Sequence, residues 1–293
     1  MPVPQPIIVG IDGSTSATNA VRWAARESRL RKLPLRIVTA LDGPPQYWGD
    51  FAIPSTYIAE STQHAEARLA DAVKVAEDSG CTDIDSEVLT GFAHVDLITE
   101  SKDAHMLVMG SRGISAFRAS LIGSVTQSVL QHVHSTMVII QELPAGWDTT
   151  PAAPVVVGVD GSEQNRPAVE TAFQEASLRG AELIAVHAWS DTALPKALSL
   201  HQGLPWDDLI SEEEARLAES LAGLGERYPD VEVRRLVVKD RPVRYLTDLS
   251  AAAGLVVVGS RGRGGFATMM LGSTSRALTH SVQCPLMIVP LAR

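Results

Sequence analysis

The sequence predicts an α/β protein built as two tandem doubly wound domains, each with a parallel sheet between layers of helices. Three observations predict it: an internal repeat, β-branched runs that do not alternate with polar residues, and helical patterns of small residues between those runs. The segment PIIVGIDGSTSATNAVRWAARESRLRKLPLRIVTAL aligns without gaps on PVVVGVDGSEQNRPAVETAFQEASLRGAELIAVHAW, setting Asp12 on Asp160, a shift of 148 residues. Later, MLVMGSRGISAFRASLIGSVTQSVLQHVHSTMVII aligns on LVVVGSRGRGGFATMMLGSTSRALTHSVQCPLMIV, setting Gly110 on Gly259 and Gly123 on Gly272, a shift of 149. The one-residue slip falls in the divergent middle of the repeat.

Taken in order, the predicted strands of the first copy are Ile7 to Ile11, Leu35 to Ala40, Ser86 to Thr90, Met106 to Met109 and Met137 to Ile140. Those of the second are Val155 to Val159, Leu183 to His187, Val231 to Val238, Leu255 to Val258 and Leu286 to Val289. Runs such as VVVGV and LVVV lack a polar face, as strands covered on both sides by helices do. After the first strand, Ala17 to Arg31 carries Ala17, Val21, Ala24, Ala25 and Ser28 at three- and four-residue spacings, and Asn165 to Arg179 carries Ala168, Val169, Ala172 and Ala176 likewise. Such faces let helix and sheet approach closely. Between the copies, ELPAGWDTTPAAP has no periodicity and is rich in proline and small residues, which reads as a linker. The predicted division is 1–142, a linker at 143–153, and 154–293.

Composition bounds the function. The chain has 293 residues, about two domains at roughly 150 residues each, and 45% apolar residues, enough for two cores. A formal charge of −9 argues against nucleic acid as a partner, because counterion release needs a basic footprint. Two cysteines, Cys81 and Cys284, show no metal or disulfide spacing. The opening MPVPQP lacks a charged start followed by an apolar run, and no stretch reaches the ~18 apolar residues of a membrane helix. A reducing, cytoplasmic setting is the expectation.

The chemistry is expected in the loop after the fourth strand of each copy. Gly110-Ser111-Arg112-Gly113 is followed by nine residues and Gly123-Ser124, and Gly259-Ser260-Arg261-Gly262 by nine residues and Gly272-Ser273. A phosphate needs several backbone N–H groups aimed at one spot, and glycine permits this by accepting positive φ and by lacking a side chain. Ser124 and Ser273 stand at the start of the next helix, where each can cap free amides or bond a phosphate oxygen. Arg112, Arg118, Arg261 and Arg263 lie in or beside the loops and can supply the positive field the whole chain lacks. Glycines that only end strands and serines that only cap helices are the plainer reading, and recurrence in register favours phosphate. At the end of the first strand of each copy, Asp12 and Asp160 either cap the next helix or, at the sheet's carboxyl edge, accept from ribose or adenine or help hold a metal on the phosphates, roles one side chain can combine.

With these residues in hand, the chain resembles the universal stress protein family, in its ATP-binding branch and the tandem form frequent in mycobacteria. The likeness covers almost the whole chain. It rests on a first strand ending V-G-[IV]-D-[GS]-S and a late G-x-x-G-x9-G-[S/T], each present twice. The resemblance implies a Rossmann-like fold of the adenine nucleotide alpha hydrolase kind, with a five-stranded parallel sheet in the order 3-2-1-4-5 in each domain. It implies that Asp12 and Asp160 meet adenosine, that backbone at Ala40 and Ala188 frames adenine, and that Gly10 and Gly158 lie beneath it. Gly110, Ser111, Arg112, Gly113, Gly123, Ser124 and Val125, with Gly259, Ser260, Arg261, Gly262, Gly272, Ser273 and Thr274, then hold the phosphates. The implied ligand is ATP, with or without Mg²⁺. A homodimer is implied as well, because final strands in this family pair across a two-fold axis, here Thr136 to Gln141 and Pro285 to Leu291, joining the two halves or two chains. The sequence departs from the family at His105 and Gly254, where relatives place Asp before the fourth strand, and at Ser135-Thr136, where the second copy keeps Cys284-Pro285.

Other candidates read as ordinary. Tyr47, Trp48, Phe51, Trp189 and Trp206 read as satellite core, the alternative being loops that cover the nucleotide or meet a partner; His132 and His134 face different ways, and His64, His94, His187, His201 and His280 show no convergent partner in sequence and read as ordinary surface or core residues. No G-K-[ST], S-G-G-x-D-S or G-x-S-x-G is present. The expected function is therefore a nucleotide-dependent stress-response protein that binds without fast turnover. Its rivals are a slow Mg²⁺-dependent ATPase using Asp12 or Asp160 and a scaffold with vestigial sites.

Overall fold

The computed structural model describes residues 4–41, 55–113, 122–141, 143, 153–189, 206–262 and 271–291, with backbone alone at 55, 206 and 207. The chain divides into two units, Met1–Leu143 and Pro144–Arg293. The first runs β1 (Ile7–Ile11), α1 (Thr15–Arg31), β2 (Leu35–Ala40), α2 (Ser55–Asp78), β3 (Ile84–Leu89), α3 (Ala93–Glu100), β4 (Met106–Gly110), α4 (Ser124–His132) and β5 (Thr136–Ile140). The second runs β6 (Val155–Val159), a 3₁₀ turn Glu163–Asn165, α5 (Arg166–Arg179), β7 (Leu183–Trp189), α6 (Trp206–Ser220), a helical turn Leu224–Arg227, β8 (Val233–Lys239), α7 (Pro242–Ser250), β9 (Leu255–Gly259), α8 (Ser273–Ser281) and β10 (Leu286–Val289).

Within the first unit the strands lie in the order β3-β2-β1-β4-β5, and within the second β8-β7-β6-β9-β10, the same order with each unit's strands counted from its own first. The pairs β1–β2, β1–β4, β2–β3 and β4–β5 are parallel, as are β6–β7, β6–β9, β7–β8 and β9–β10. The strands with the purest apolar runs are central. β1, β4 and β9 are buried along their whole length, whereas β3 is mostly exposed. Order 3-2-1-4-5 puts β1 beside β4 and β6 beside β9, so the Asp-bearing ends and the glycine loops leave the same edge of each sheet.

α1 and α5 pack small residues against the sheet: Ala17, Ala20, Ala24 and Ala25 in one, Ala168, Ala172 and Ala176 in the other, all buried. Each also buries a glutamate tied to an arginine one turn on, Glu27 with Arg31 and Glu175 with Arg179. A buried carboxylate is tolerable only with such a partner. The departures before the fourth strand are carried by backbone. His105 N–H donates to the Pro6 carbonyl and Gly254 N–H to the Pro154 carbonyl, both at 2.9 Å, so the strand start is fastened without an Asp cap. Among the described residues no helix is long and apolar enough to cross a membrane.

Candidate functional site

Each site is built where a strand ends and a helix begins. In the first unit Asp12 accepts the Ser14 N–H on Oδ1 at 3.0 Å, and Ser14 Oγ accepts the Ala17 N–H at 3.1 Å to cap α1. Gly13 turns the chain with φ of 87° and Gly161 does so with 74°, a conformation other residues rarely adopt. In the second unit Asp160 Oδ1 accepts both the Ser162 N–H at 2.8 Å and its hydroxyl at 2.7 Å. Neither aspartate caps a helix itself. Each uses Oδ1 to fold the turn and presents Oδ2 to the glycine loop, where a β-carbon placed on Gly113 or Gly262 would collide with Oδ2 of Asp12 or Asp160. The requirement for glycine here is close approach, since the loop glycines among the described residues have no positive φ.

The loops are latched by a repeated set of bonds. Ser111 N–H donates to the Ile140 carbonyl at 2.9 Å and its carbonyl accepts the Gly123 N–H at 2.8 Å; Ser260 does the same with Val289 and Gly272, both at 2.7 Å. The hydroxyls of Thr126 and Ser275 donate to the Gly110 and Gly259 carbonyls at 3.0 and 2.6 Å. Thus the backbone of Ser111 and Ser260 fastens the loop to the sheet. Ser124 and Ser273 open α4 and α8 as the first helical residues, with Gly123 and Gly272 in the cap positions and no side-chain cap bond. Those helix starts keep amides for a ligand. Arg112 N–H meets Ser16 Oγ at 3.3 Å, and its carbonyl accepts from Ser14 Oγ at 3.3 Å, tying the loop to α1. Leu97 of α3 and Leu246 of α7 press on Gly10 and Gly158, at 3.1 and 3.3 Å from the position a β-carbon would take.

In the second unit these parts enclose a cavity of about 320 Å³. Gly158, Asp160, Ala188, Gly259, Arg261, Gly262, Gly272, Ser273 and Thr274 all line it, leaving out only Ser260 of the ten expected positions. The sequence did not single out Asn165, Pro242 and Leu246, which line it too. Asn165 Nδ2 donates to the Gly158 carbonyl at 3.2 Å and its Oδ1 accepts the Asp160 N–H at 3.3 Å, bracing the strand end. In the first unit Ala40 accepts from Arg68 Nη2 at 3.2 Å, and Val125 is the second residue of α4. The expectations at Arg118, Arg263, Tyr47, Trp48, Phe51 and His201, and for the Trp206 side chain, lie outside the described residues.

One pairing was out of reach of the sequence. His187, read as an ordinary surface or core histidine with no convergent partner in sequence, is a core residue, buried between the Val159 carbonyl and the Glu213 carboxyl, each 2.8 Å from a ring nitrogen. Glu213 is 26 residues downstream, on α6, which is why sequence proximity did not reveal it. Among the described residues no three His, Cys, Asp or Glu side chains converge as a metal site.

Comparison with known proteins identifies relatives over nearly the whole chain. A model of the universal stress protein family matches residues 4–141 and 152–290. A universal stress protein of Mycobacterium tuberculosis H37Rv is 41% identical over 286 residues, covering 96% of this chain and 95% of its own length. A second from the same organism is 38% identical, covering 96% of each. The crystal structure of a universal stress protein from Archaeoglobus fulgidus DSM 4304 superposes with a TM-score of 0.67 over 98% of both chains, at 23% identity, a likeness of fold.

Proposed function

The chain belongs to the universal stress protein family, and on that premise we propose that it is a nucleotide-binding stress-response protein holding one ATP, or a close relative, in each half. The observation that carries the reading is the second-half cavity. Its volume of about 320 Å³ falls in the range of roughly 300–1,000 Å³ usual for small-molecule sites, and its lining combines apolar side chains with polar groups. Val186, Ala188, Leu246 and Val258 suit a base. Asp160, where the sheet ends, suits a ribose hydroxyl, and the loop from Gly259 to Gly262 with the start of α8 suits phosphates. The absence of a β-carbon beside Asp160 is a fit feature in itself, because any side chain there would fill the cradle.

The same reading assigns 1–142 and 154–293 to the two binding units, with 143–153 between them, and places the protein in the cytoplasm as a homodimer. The first site would use Gly10, Asp12, Ala40, Gly110, Arg112, Gly113, Gly123, Ser124 and Val125. Bound nucleotide would act by ordering the loops around it, without a catalytic group.

The test is a count. Purified protein is incubated with ATP and Mg²⁺, desalted and denatured, and released nucleotide is identified and counted by chromatography with mass detection. Two ATP per chain is the expected result. One would mean that the halves have specialised, ADP would favour the slow ATPase, and no nucleotide would overturn the reading. Light scattering checks the dimer.

A further inference from the structure

His187 stands on β7 one residue before Ala188, which borders the cavity, and is 1% exposed. Its Nδ1 lies 2.8 Å from the carbonyl of Val159, the last residue of β6 and the neighbour of Asp160. Its Nε2 lies 2.8 Å from Glu213 Oε2 on α6, and Glu213 Oε1 accepts from Arg216 Nη1 at 2.8 Å. A carbonyl oxygen only accepts, so Nδ1 carries a hydrogen. The contact on the other side then requires a proton as well. Either Nε2 donates to a carboxylate, or a protonated carboxyl donates to Nε2. In both forms the closed contact holds one proton more than a neutral ring beside a carboxylate. Without it, two acceptors face each other in a buried place.

The first half meets the same need without a titratable group. Thr39, at the position equivalent to His187, donates from Oγ1 to the Ile11 carbonyl at 3.0 Å. Ala65, equivalent to Glu213, is fully buried. No other charge competes for the contact among the described side chains. On α6, Asp208, Glu212, Glu214 and Glu219 are exposed. On α5, Glu170 and Glu175 pair with Arg166 and Arg179. On α7, Arg244 pairs with Asp248. On β8 the residue in register with His187 is Val237; nearby, Arg234 pairs with Glu182, Arg235 is exposed, and Lys239 lies over the Trp189 ring. Asp160, just past β6, is engaged by Ser162.

We propose that the His187–Glu213 pair is a proton-dependent positioning device for the second site, tying the Asp160 end of β6 and the Ala188 end of β7 to α6. It rests on the nucleotide reading above and adds regulation to one of the two sites. The sign follows from the proton count. The closed form is protonated, so it is favoured at low pH and lost as pH rises, and a ligand that prefers the closed form binds more weakly at high pH.

The experiment titrates ATP by calorimetry from about pH 6 to about pH 8.5, a span that covers histidine chemistry. The second site is read alone in G113V and the first alone in G262V, which supplies the pH dependence of ATP itself. Relative to the first site, the second is expected to lose affinity by up to ~10-fold per pH unit over part of the range, the limit for one proton. In Glu213→Gln the amide can donate to a neutral ring and still accept from Arg216, so binding should persist with the extra slope gone. Matching pH profiles at the two sites, or an unchanged slope in E213Q, would overturn the proposal. ATP bound at neither site of the unmodified chain would instead withdraw the nucleotide reading and the device's role together. Should G113V not fold, ¹⁵N NMR of the His187 ring in the unmodified chain decides: a hydrogen on Nδ1 and a pH-dependent proton shared at Nε2 support the device, and a ring bare at Nδ1 excludes it.

Discussion

Gly113 and Gly262 show how one missing atom shapes a site. A β-carbon at either position runs into the Oδ2 of the aspartate that ends the first strand of its half. Gly113→Val is expected to abolish nucleotide retention in the first half while the second stays loaded, with an overpacking penalty of about 1–3 kcal/mol in urea unfolding. Cys284 gives a second test. Burial pushes its thiol from the ordinary 9.0 up to about 12, against two backbone hydrogen bonds that lower it. Between those values the unfolded chain loses the proton that the native protein keeps, so stability should fall as pH rises through that window, and C284A should flatten the fall. A thiol-reactive dye at pH 8 should leave Cys284 unlabelled until denaturant is added. The glycine and aspartate positions were legible because a backbone that must approach closely dictates residue type and spacing. Asn165 and His187 were not, because their roles come from partners that only the folded chain supplies.

At the level of elements, the two copies keep one backbone with different terminal chemistry. Ser14 caps α1 through its hydroxyl, whereas Ser162 bonds Asp160 and a 3₁₀ turn leads into α5. Ser14→Ala should therefore cost about 0.5–2 kcal/mol of stability by thermal unfolding, and Ser162→Ala less helix-capping energy. Lys32 closes α1 in the left-handed region at φ of 55°, where the second copy has Gly180 at 59°. Lys32→Gly is expected to gain stability, on the order of 0.5–1 kcal/mol, by relieving the β-carbon strain of that conformation. β1, β4, β6 and β9 were legible to within a residue because burial on both faces leaves an unbroken apolar run, whereas β7 runs two residues past its expected end. β3 and β8 were shifted by one or two residues against expectation, since both are partly exposed along their length and lack an unbroken apolar run.

For the whole molecule, duplication means that each claim about one half is a control for the other. The unmodified chain should release two ATP, G113V and G262V one each, and the double variant none. At ~100 times its dissociation constant each bound ATP should add about 2.7 kcal/mol to the stability of the half that holds it, seen as an upward shift in melting. The doubled architecture was legible from the repeat, and the strand order only from the family likeness, because neighbouring strands in a parallel sheet need not be neighbours in sequence. The exchange of Thr39 and Ala65 for His187 and Glu213 carries a further consequence, for descent. The pair is matched as a unit: a histidine alone, with alanine in place of the glutamate, would bury an unanswered nitrogen, and a threonine alone would leave Glu213 Oε2 without its buried partner, Arg216 holding only Oε1. T39H should therefore destabilise the first half and T39H/A65E should recover much of the loss. Single mutational steps between the two arrangements pass through a less stable intermediate, so once the copies had parted at this pair, drift alone would rarely bring them back. The duplication then becomes a ratchet that preserves two unlike halves in one gene.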